Sequence, residues 1–177
     1  MIFRAFSLAA CVVAAGMTAS PVEARDTDQR FFQRIEGSWS GPGEIVAGKY
    51  KGTKFTCDFK GATPNGSPGM SLDGTCRVGV FSQQMSARVT RGGRSYKGSF
   101  LDGAAGKGLD IVAGSVSRDR VVFTLNRKQL NGAMLARLAG DNNMRITISV
   151  KVDKKLVPVI GMDLNRVDSV ATGTVKR

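Results

Sequence analysis

The sequence predicts an all-β protein, an antiparallel up-and-down β-barrel of about eight to ten strands with a short N-terminal helix. Apolar and polar residues alternate with a period of two in one short segment after another of the 177-residue chain, as in strands with one buried face. Tight, often glycine-rich turns join most of these segments. Because no strand–helix–strand alternation occurs, a parallel sheet is not expected. Closure into a barrel would remove the exposed edges of such a meander, and a two-sheet sandwich is the competing architecture.

The chain begins with the pattern of a bacterial signal peptide. Arg4 precedes an apolar run from Ala5 to Met17, and the small residues around Ala24 suit a signal-peptidase site. The run is too short to span a membrane comfortably and polar sequence follows it, so we expect no transmembrane segment. We predict that residues 1–24 are removed and that the mature protein is periplasmic or secreted.

A short helix is predicted at the start of the mature chain. It runs from Asp28 to Ile35, with its apolar side chains on one face and Asp26 or Asp28 as the N-cap. Trp39 follows between glycines, which indicates a large ring packed where the backbone comes close. We divide the mature chain into a helix or linker at 25–36, a barrel domain at 37–167 and a loose tail at 168–177.

The next two strands form a predicted hairpin that carries a disulfide. Alternation runs through Phe55–Phe59 and again through Met70–Val80, with turn-forming residues between them. Antiparallel pairing about a centre near 66–67 places Cys57 opposite Cys76 on the inward face. Without residues 1–24 these are the only cysteines, and an even count in an exported chain favours a bridge. Two buried free thiols are the alternative.

The remaining strands follow the same period. They are predicted at Met85–Val89, Tyr96–Phe100, Leu109–Ala113, Val121–Leu125, Met144–Val152 and Leu156–Arg166, with Pro158 at a bulge or edge. The segment 130–140 stays open between two structures. Leu130, Met134 and Leu138 lie four apart, as in a helix, whereas Met134, Ala136 and Leu138 suit a strand.

The Gly37-Ser38-Trp39 motif after a short helix resembles the opening signature of the calycins, which include lipocalins and fatty-acid-binding proteins. The pattern Gly37-x-Trp39-x-Gly41-x-Gly43 looks like the start of nitrobindin-type haem barrels. The resemblance implies that an arginine of the last strand packs across Trp39 and closes one barrel end, and Arg166 matches it. The chain departs from the nitrobindin pattern because it contains no histidine, the usual proximal haem ligand. Nothing marks Tyr50 or Tyr96 as a substitute, so we expect neither haem nor another cofactor.

The side chains that enzymes commonly use are scarce. Without histidine there is no Ser–His or Cys–His pair and no histidine metal site. Glu36 and Glu44 are the only glutamates after residue 24, and most aspartates occur at turns. The segment 103–108 is glycine-rich but lacks the spacing of a phosphate-binding loop. We therefore predict no catalytic residue, no metal site and no enzymatic activity.

Positive charge dominates the chain, with a formal net charge of +12. Such a balance favours anionic surroundings, and an exported protein rarely meets nucleic acid, so we expect none as a partner. No acidic residue occurs between Gly74 and Leu101, where a Gly92-Gly93 hairpin is predicted. Its basic residues are candidates for an anionic envelope surface, with an ordinary solvated loop as the alternative: Arg88, Arg91, Arg94 and Lys97.

The pattern favours an exported, monomeric and non-enzymatic binding protein that holds a small apolar or amphipathic ligand. The candidates for the lining of its interior are Phe55, Phe59, Met70, Leu72, Met85, Tyr96 and Phe100. Two alternatives remain. A protease inhibitor of calycin type would need the trunk at 25–28 to be free of the barrel, and a cationic structural protein of the envelope would bind no ligand.

Overall fold

Ten antiparallel strands close into a barrel, and one helix precedes them. The structure, a computed structural model, describes residues 21–101, 109–128 and 130–167. Its elements are α1 (Pro21–Ile35), β1 (Gly37–Ile45), β2 (Lys54–Ala62), β3 (Gly69–Val78), β4 (Phe81–Gly92), β5 (Ser95–Leu101), β6 (Leu109–Val116), β7 (Arg120–Arg127), β8 (Leu130–Ala139), β9 (Asn143–Val152) and β10 (Lys155–Arg166). The predicted fold class is confirmed, and the barrel rather than the sandwich is its architecture.

Each strand pairs with its neighbours in sequence, and pairing of β1 with β10 closes the barrel. Because of this closure, every described strand has a partner on both sides, which removes the open sheet edge that would template edge-to-edge association. Pro158 lies where the register between β9 and β10 shifts. Proline has no backbone N–H to donate to a ladder, so this is a position that tolerates it, as the sequence predicted.

The hairpin of β2 and β3 has the predicted register. Cys57 pairs directly with Cys76, and their sulfur atoms are bonded. The pairing continues to Gly61 and Leu72, so the inward alternation of both strands is preserved along their shared length. The disulfide prediction is confirmed.

The segment 130–140, whose sequence suits either a helix or a strand, forms strand β8. Gly132, Ala136 and Leu138 are buried, whereas Arg137 and Ala139 are exposed, as the alternation of a strand requires. The strand pairs with β7 on one side and β9 on the other. Both ladders satisfy its backbone groups, so long-range pairing outweighs the local helical spacing.

Helix α1 begins before the position that the sequence predicted, and three predicted segments lie wholly or mostly outside the described residues. Helix α1 begins at Pro21 rather than at Asp28, so Asp26 and Asp28 lie inside it and neither is its N-cap. Most of the predicted signal peptide (1–24) falls on residues 1–20, which lie outside the described residues. The glycine-rich segment 103–108 and the predicted tail 168–177 lie outside them too.

The two ends of the barrel differ, because α1 covers only one of them. Phe31, Phe32 and Ile35 of α1 are buried in the core. The end that they cover, called the closed end below, also carries the connections β2–β3, β4–β5, β6–β7 and β8–β9. The opposite end, called the open end, carries β1–β2, β3–β4, β7–β8 and β9–β10.

Candidate ligand-binding cavity

A cavity of about 470 Å³ occupies the interior of the barrel. All ten strands contribute to its lining, and Ile35 of α1 contributes from the closed end. Ser82 and Gln83 are the only lining residues with a polar side chain among those that the structure describes, and both are exposed at the open end. The rest of the wall is apolar.

Three phenylalanines of the lining each face a glycine on the neighbouring strand, and their rings approach these glycines closely. The directly paired residues are Phe55 with Gly43, Phe59 with Gly74, and Phe123 with Gly114. A Cβ atom at any of these glycines would collide with the ring opposite it. The glycines therefore give the rings room at the wall, and the middle of the barrel stays open.

Six of the seven predicted lining residues border the cavity: Phe55, Phe59, Met70, Leu72, Met85 and Phe100. Tyr96 does not border it. Its ring is buried at the closed end, with centroids 5.4 Å from Phe32 and 6.2 Å from Phe123. Inward alternation identifies the side of the sheet on which a residue lies, but not its depth along the barrel axis. The prediction that Tyr96 lines the cavity is therefore wrong, although its side chain does face inward.

Trp39 and Arg166 lie together at the closed end. Trp39 is fully buried, and its indole Nε1–H donates to the carbonyl of Ile35 at 2.9 Å. The guanidinium carbon of Arg166 lies 4.5 Å from the centroid of the Trp39 ring, within the range of a cation–π contact. The same guanidinium donates to the carbonyls of Arg34, Glu36 and Asp141. Arg166 therefore ties the carboxyl end of α1 to the barrel, where a positive charge is favourable.

Asp28 joins the middle of α1 to the barrel through two other buried side chains. Its carboxylate accepts hydrogen bonds from the Arg91 guanidinium and the Tyr96 hydroxyl, each at 2.6 Å. Only 12% of the Asp28 side chain and 16% of the Arg91 side chain are exposed. Burial and the hydrogen bond to Asp28 raise the pKa of Tyr96 above its ordinary value. Residues 25–28, which an inhibitor would need as a free trunk, are thus attached to the barrel at Asp28.

The four basic residues predicted as an anion-binding surface do not form one cluster. Arg91 follows the inward alternation of Ala87 and Val89, and this signal in the sequence could have shown that Arg91 lies on the inward face of β4. Arg88 faces outward and forms an ion pair with Asp73 at 3.1 Å. Arg94 and Lys97 are exposed near the closed end, away from the mouth of the cavity. Binding of an anionic surface by this group stays a prediction.

The cavity reaches the surface at the open end. Phe81 and Val78 flank the β3–β4 connection there, and both belong to the lining although they are 78% and 43% exposed. Among residues 21–101, 109–128 and 130–167, no group of three or more metal-ligating side chains is found. In the same part of the chain, no helix is both long and apolar enough to cross a bilayer.

The fold and the site define this chain as a closed ten-stranded antiparallel β-barrel with an apolar interior cavity. No protein family and no curated protein matches its sequence. Among solved structures, its fold is similar to that of Rv2717c from M. tuberculosis, with a TM-score of 0.49 and 13% sequence identity. The match covers 79% of this chain and 97% of that one.

Proposed function

We propose that the chain is a non-enzymatic binding protein that holds a small apolar or amphipathic ligand inside the barrel. The observation that carries the proposal is the cavity of about 470 Å³ with its apolar lining. Ligand sites typically measure about 300–1,000 Å³ and combine apolar walls with a few polar groups. A filled interior, as in many small barrels, would have left no room for a ligand.

The distribution of polar groups indicates how the ligand would lie. Ser82 and Gln83 are at the open end, whereas the lining residues toward the closed end, such as Ile35, Val121 and Met144, are apolar. An amphipathic molecule would place its apolar body inside and its polar group near Gln83. The reverse orientation would bury a polar group without a hydrogen-bond partner, which is costly.

Methionine gives the lining adaptability. Five methionines border the cavity: Met70, Met85, Met134, Met144 and Met162. Methionine is unbranched and polarisable, so it packs against irregular shapes at little cost. The lining therefore suits a class of apolar ligands of related size rather than one rigid molecule.

We also propose that the chain has no enzymatic activity. This absence is supported by the lack of histidine in the sequence and by a described lining that contains no carboxylate. We further propose a calycin-like barrel, which the Trp39–Arg166 contact supports. Export to the periplasm or the exterior is supported by the disulfide, because such bonds persist in oxidising compartments.

A fluorescent apolar probe, 1-N-phenylnaphthylamine, tests the site directly. We expect saturable enhancement of its fluorescence with one probe bound per chain. Ala87→Phe should weaken binding at least tenfold, because Ala87 borders the cavity and a larger side chain fills it. Ser86→Phe is the matched control, since the neighbouring residue faces outward on the same strand. Circular dichroism would verify that both variants are folded.

Two outcomes would reject the proposal: no enhancement by the wild-type protein, or equal binding by the two variants. Native mass spectrometry of protein purified from the periplasm supplies a second readout. We expect a co-purified small molecule with wild type and its loss with Ala87→Phe.

A further inference from the structure

The exposed apolar side chains of this barrel are concentrated at the open end. Of the twelve large apolar residues that are exposed in the described part of the chain, nine lie on connections or strand ends there. The most exposed are Val80 at 93%, Phe81 at 78% and Tyr50 at 64%. The three exceptions are Val112, Val122 and Val167. A concentration of this kind is typical of an interaction surface, whereas single exposed apolar residues are ordinary.

Lysines lie between these apolar side chains. Seven exposed lysines belong to the same connections and strand ends: Lys49, Lys51, Lys54, Lys128, Lys151, Lys154 and Lys155. Asp110 and Asp153 are the exposed acidic residues at this end in the described part of the chain, and Glu44 is half-buried. None of the seven lysines forms an ion pair with a carboxylate there. The open end is therefore strongly positive, with its charges directed to solvent.

We propose that the open rim docks onto an anionic lipid bilayer, with the mouth of the cavity facing the membrane. The open rim comprises the exposed apolar residues and lysines of 46–54, 78–81, 128–130 and 151–156. Its apolar side chains enter the boundary between headgroups and acyl chains, and its lysines contact lipid phosphates. Lysine suits this position because its stem can lie along apolar surface while its ammonium group stays in water.

Two observations favour a bilayer over another anionic partner. The apolar side chains come from separate connections around the mouth, such as Tyr50, Phe81 and Leu156, and form no single groove. A fluid bilayer surface can accept apolar side chains that are spaced around a mouth, whereas a bound peptide or helix needs a continuous groove. A nucleic acid would satisfy the lysines but would leave most of the apolar side chains in water. This inference goes beyond ligand binding and does not depend on it.

Co-sedimentation with phosphatidylcholine vesicles, with and without phosphatidylglycerol, tests the proposal. We expect binding only when phosphatidylglycerol is present, with weakening at high salt. Replacing Lys51, Lys154 and Lys155 by glutamine should weaken binding on the order of a hundredfold, from the contribution of each lysine near an anionic surface. The matched control replaces Arg94, Lys97 and Arg120, three exposed cations toward the closed end, and should bind almost as wild type does.

The apolar contribution needs its own variants. Val80→Ser with Phe81→Ser should weaken binding at least tenfold, even at high salt. Phe81→Trp should show a blue shift of its fluorescence with anionic vesicles, because the buried Trp39 gives a constant background. Arg94→Trp, placed toward the closed end, should show no shift.

Three results would overturn the proposal. An equal loss of vesicle binding in the two triple variants would mean that affinity is spread over the whole cationic surface. Unchanged binding after both serine substitutions would exclude insertion of the rim. Equally tight binding to a soluble polyanion such as heparin, indifferent to those substitutions, would identify a polyanion as the partner. The Ala87→Phe variant separates the two proposals, because it should still dock even though its cavity is filled.

Discussion

The two ends of the barrel use positive charge in different ways. At the closed end, arginines hold the helix in place: Arg34 pairs with Asp141, Arg91 with Asp28, and Arg166 binds three carbonyls. At the open end seven lysines are exposed to solvent beside exposed apolar residues, and one exposed arginine, Arg77, pairs with Asp58. The planar guanidinium suits multiple hydrogen bonds in a fixed geometry, and the flexible ammonium suits a hydrated surface. The difference shows that arginines serve the structure at the closed end, whereas the lysines of the open end are available for partners.

The largest expected effect compares one aromatic residue from each end. Trp39→Ala should lower the free energy of unfolding by about 3–5 kcal/mol, the scale for truncation of a buried aromatic residue. Phe81→Ala should change it by no more than about 0.5 kcal/mol, since Phe81 is 78% exposed. Denaturant unfolding measures both. A loss below about 1 kcal/mol for Trp39→Ala would contradict the role of Trp39 in closing the barrel.

The next comparison concerns two ion pairs. Asp28→Asn should lower the free energy of unfolding by roughly 3 kcal/mol, because it leaves the Arg91 charge buried without its partner. Asp73→Asn should lower it by less than about 1 kcal/mol, because the ion pair of Asp73 with Arg88 is exposed. Similar losses for the two variants in thermal unfolding would mean that the contact of α1 with the barrel through Asp28 adds little.

The disulfide gives an effect of intermediate size. It links two strands across a sequence separation of 19 residues, for which the chain-entropy model gives roughly 3 kcal/mol as an upper figure. We expect mature protein without free thiols, and a lower melting temperature when Cys57 and Cys76 are both replaced by serine. Two titratable thiols in exported protein would contradict the bridge.

These comparisons also show what the sequence could predict. The β2–β3 register follows from local alternation around a turn, so the Cys57–Cys76 pairing could be predicted from the sequence. The link between Asp28 and Tyr96 joins residues 68 apart, and no local pattern specifies it. The Phe–Gly contacts that keep the cavity open likewise depend on which residues face each other across neighbouring strands. The sequence could thus predict which residues of a strand face inward, but not the contacts between distant segments.

The open rim could not be predicted from the sequence for the same reason. The notable basic segment in the sequence was the β4–β5 hairpin, where the charges are close along the chain. The rim draws its lysines from separate connections, from Lys49 to Lys155, which only the closed topology brings to one end. Local charge density along the chain was therefore a poor indicator of charge on the folded surface.

A smaller effect is expected at alkaline pH. Burial raises the pKa of Tyr96 relative to its value of about 10 in the unfolded chain. The folded state therefore holds this proton more tightly, so the contribution of Tyr96 to stability is complete below pH 10 and declines as the pH rises above it. We expect stability to fall less steeply above pH 10 in Tyr96→Phe than in wild type. Parallel curves for the two proteins would contradict this.

The position of the ligand is the central claim, and methyl NMR of methionine tests it most directly. Five of the seven methionines border the cavity, and Met1 and Met17 lie outside the described residues. In protein labelled with ¹³C at the methionine methyl groups, addition of 1-N-phenylnaphthylamine should shift the signals of these five. The same addition should leave them almost unchanged in Ala87→Phe. Probe binding that moved none of the five signals in wild type would place the ligand outside the barrel and contradict the account.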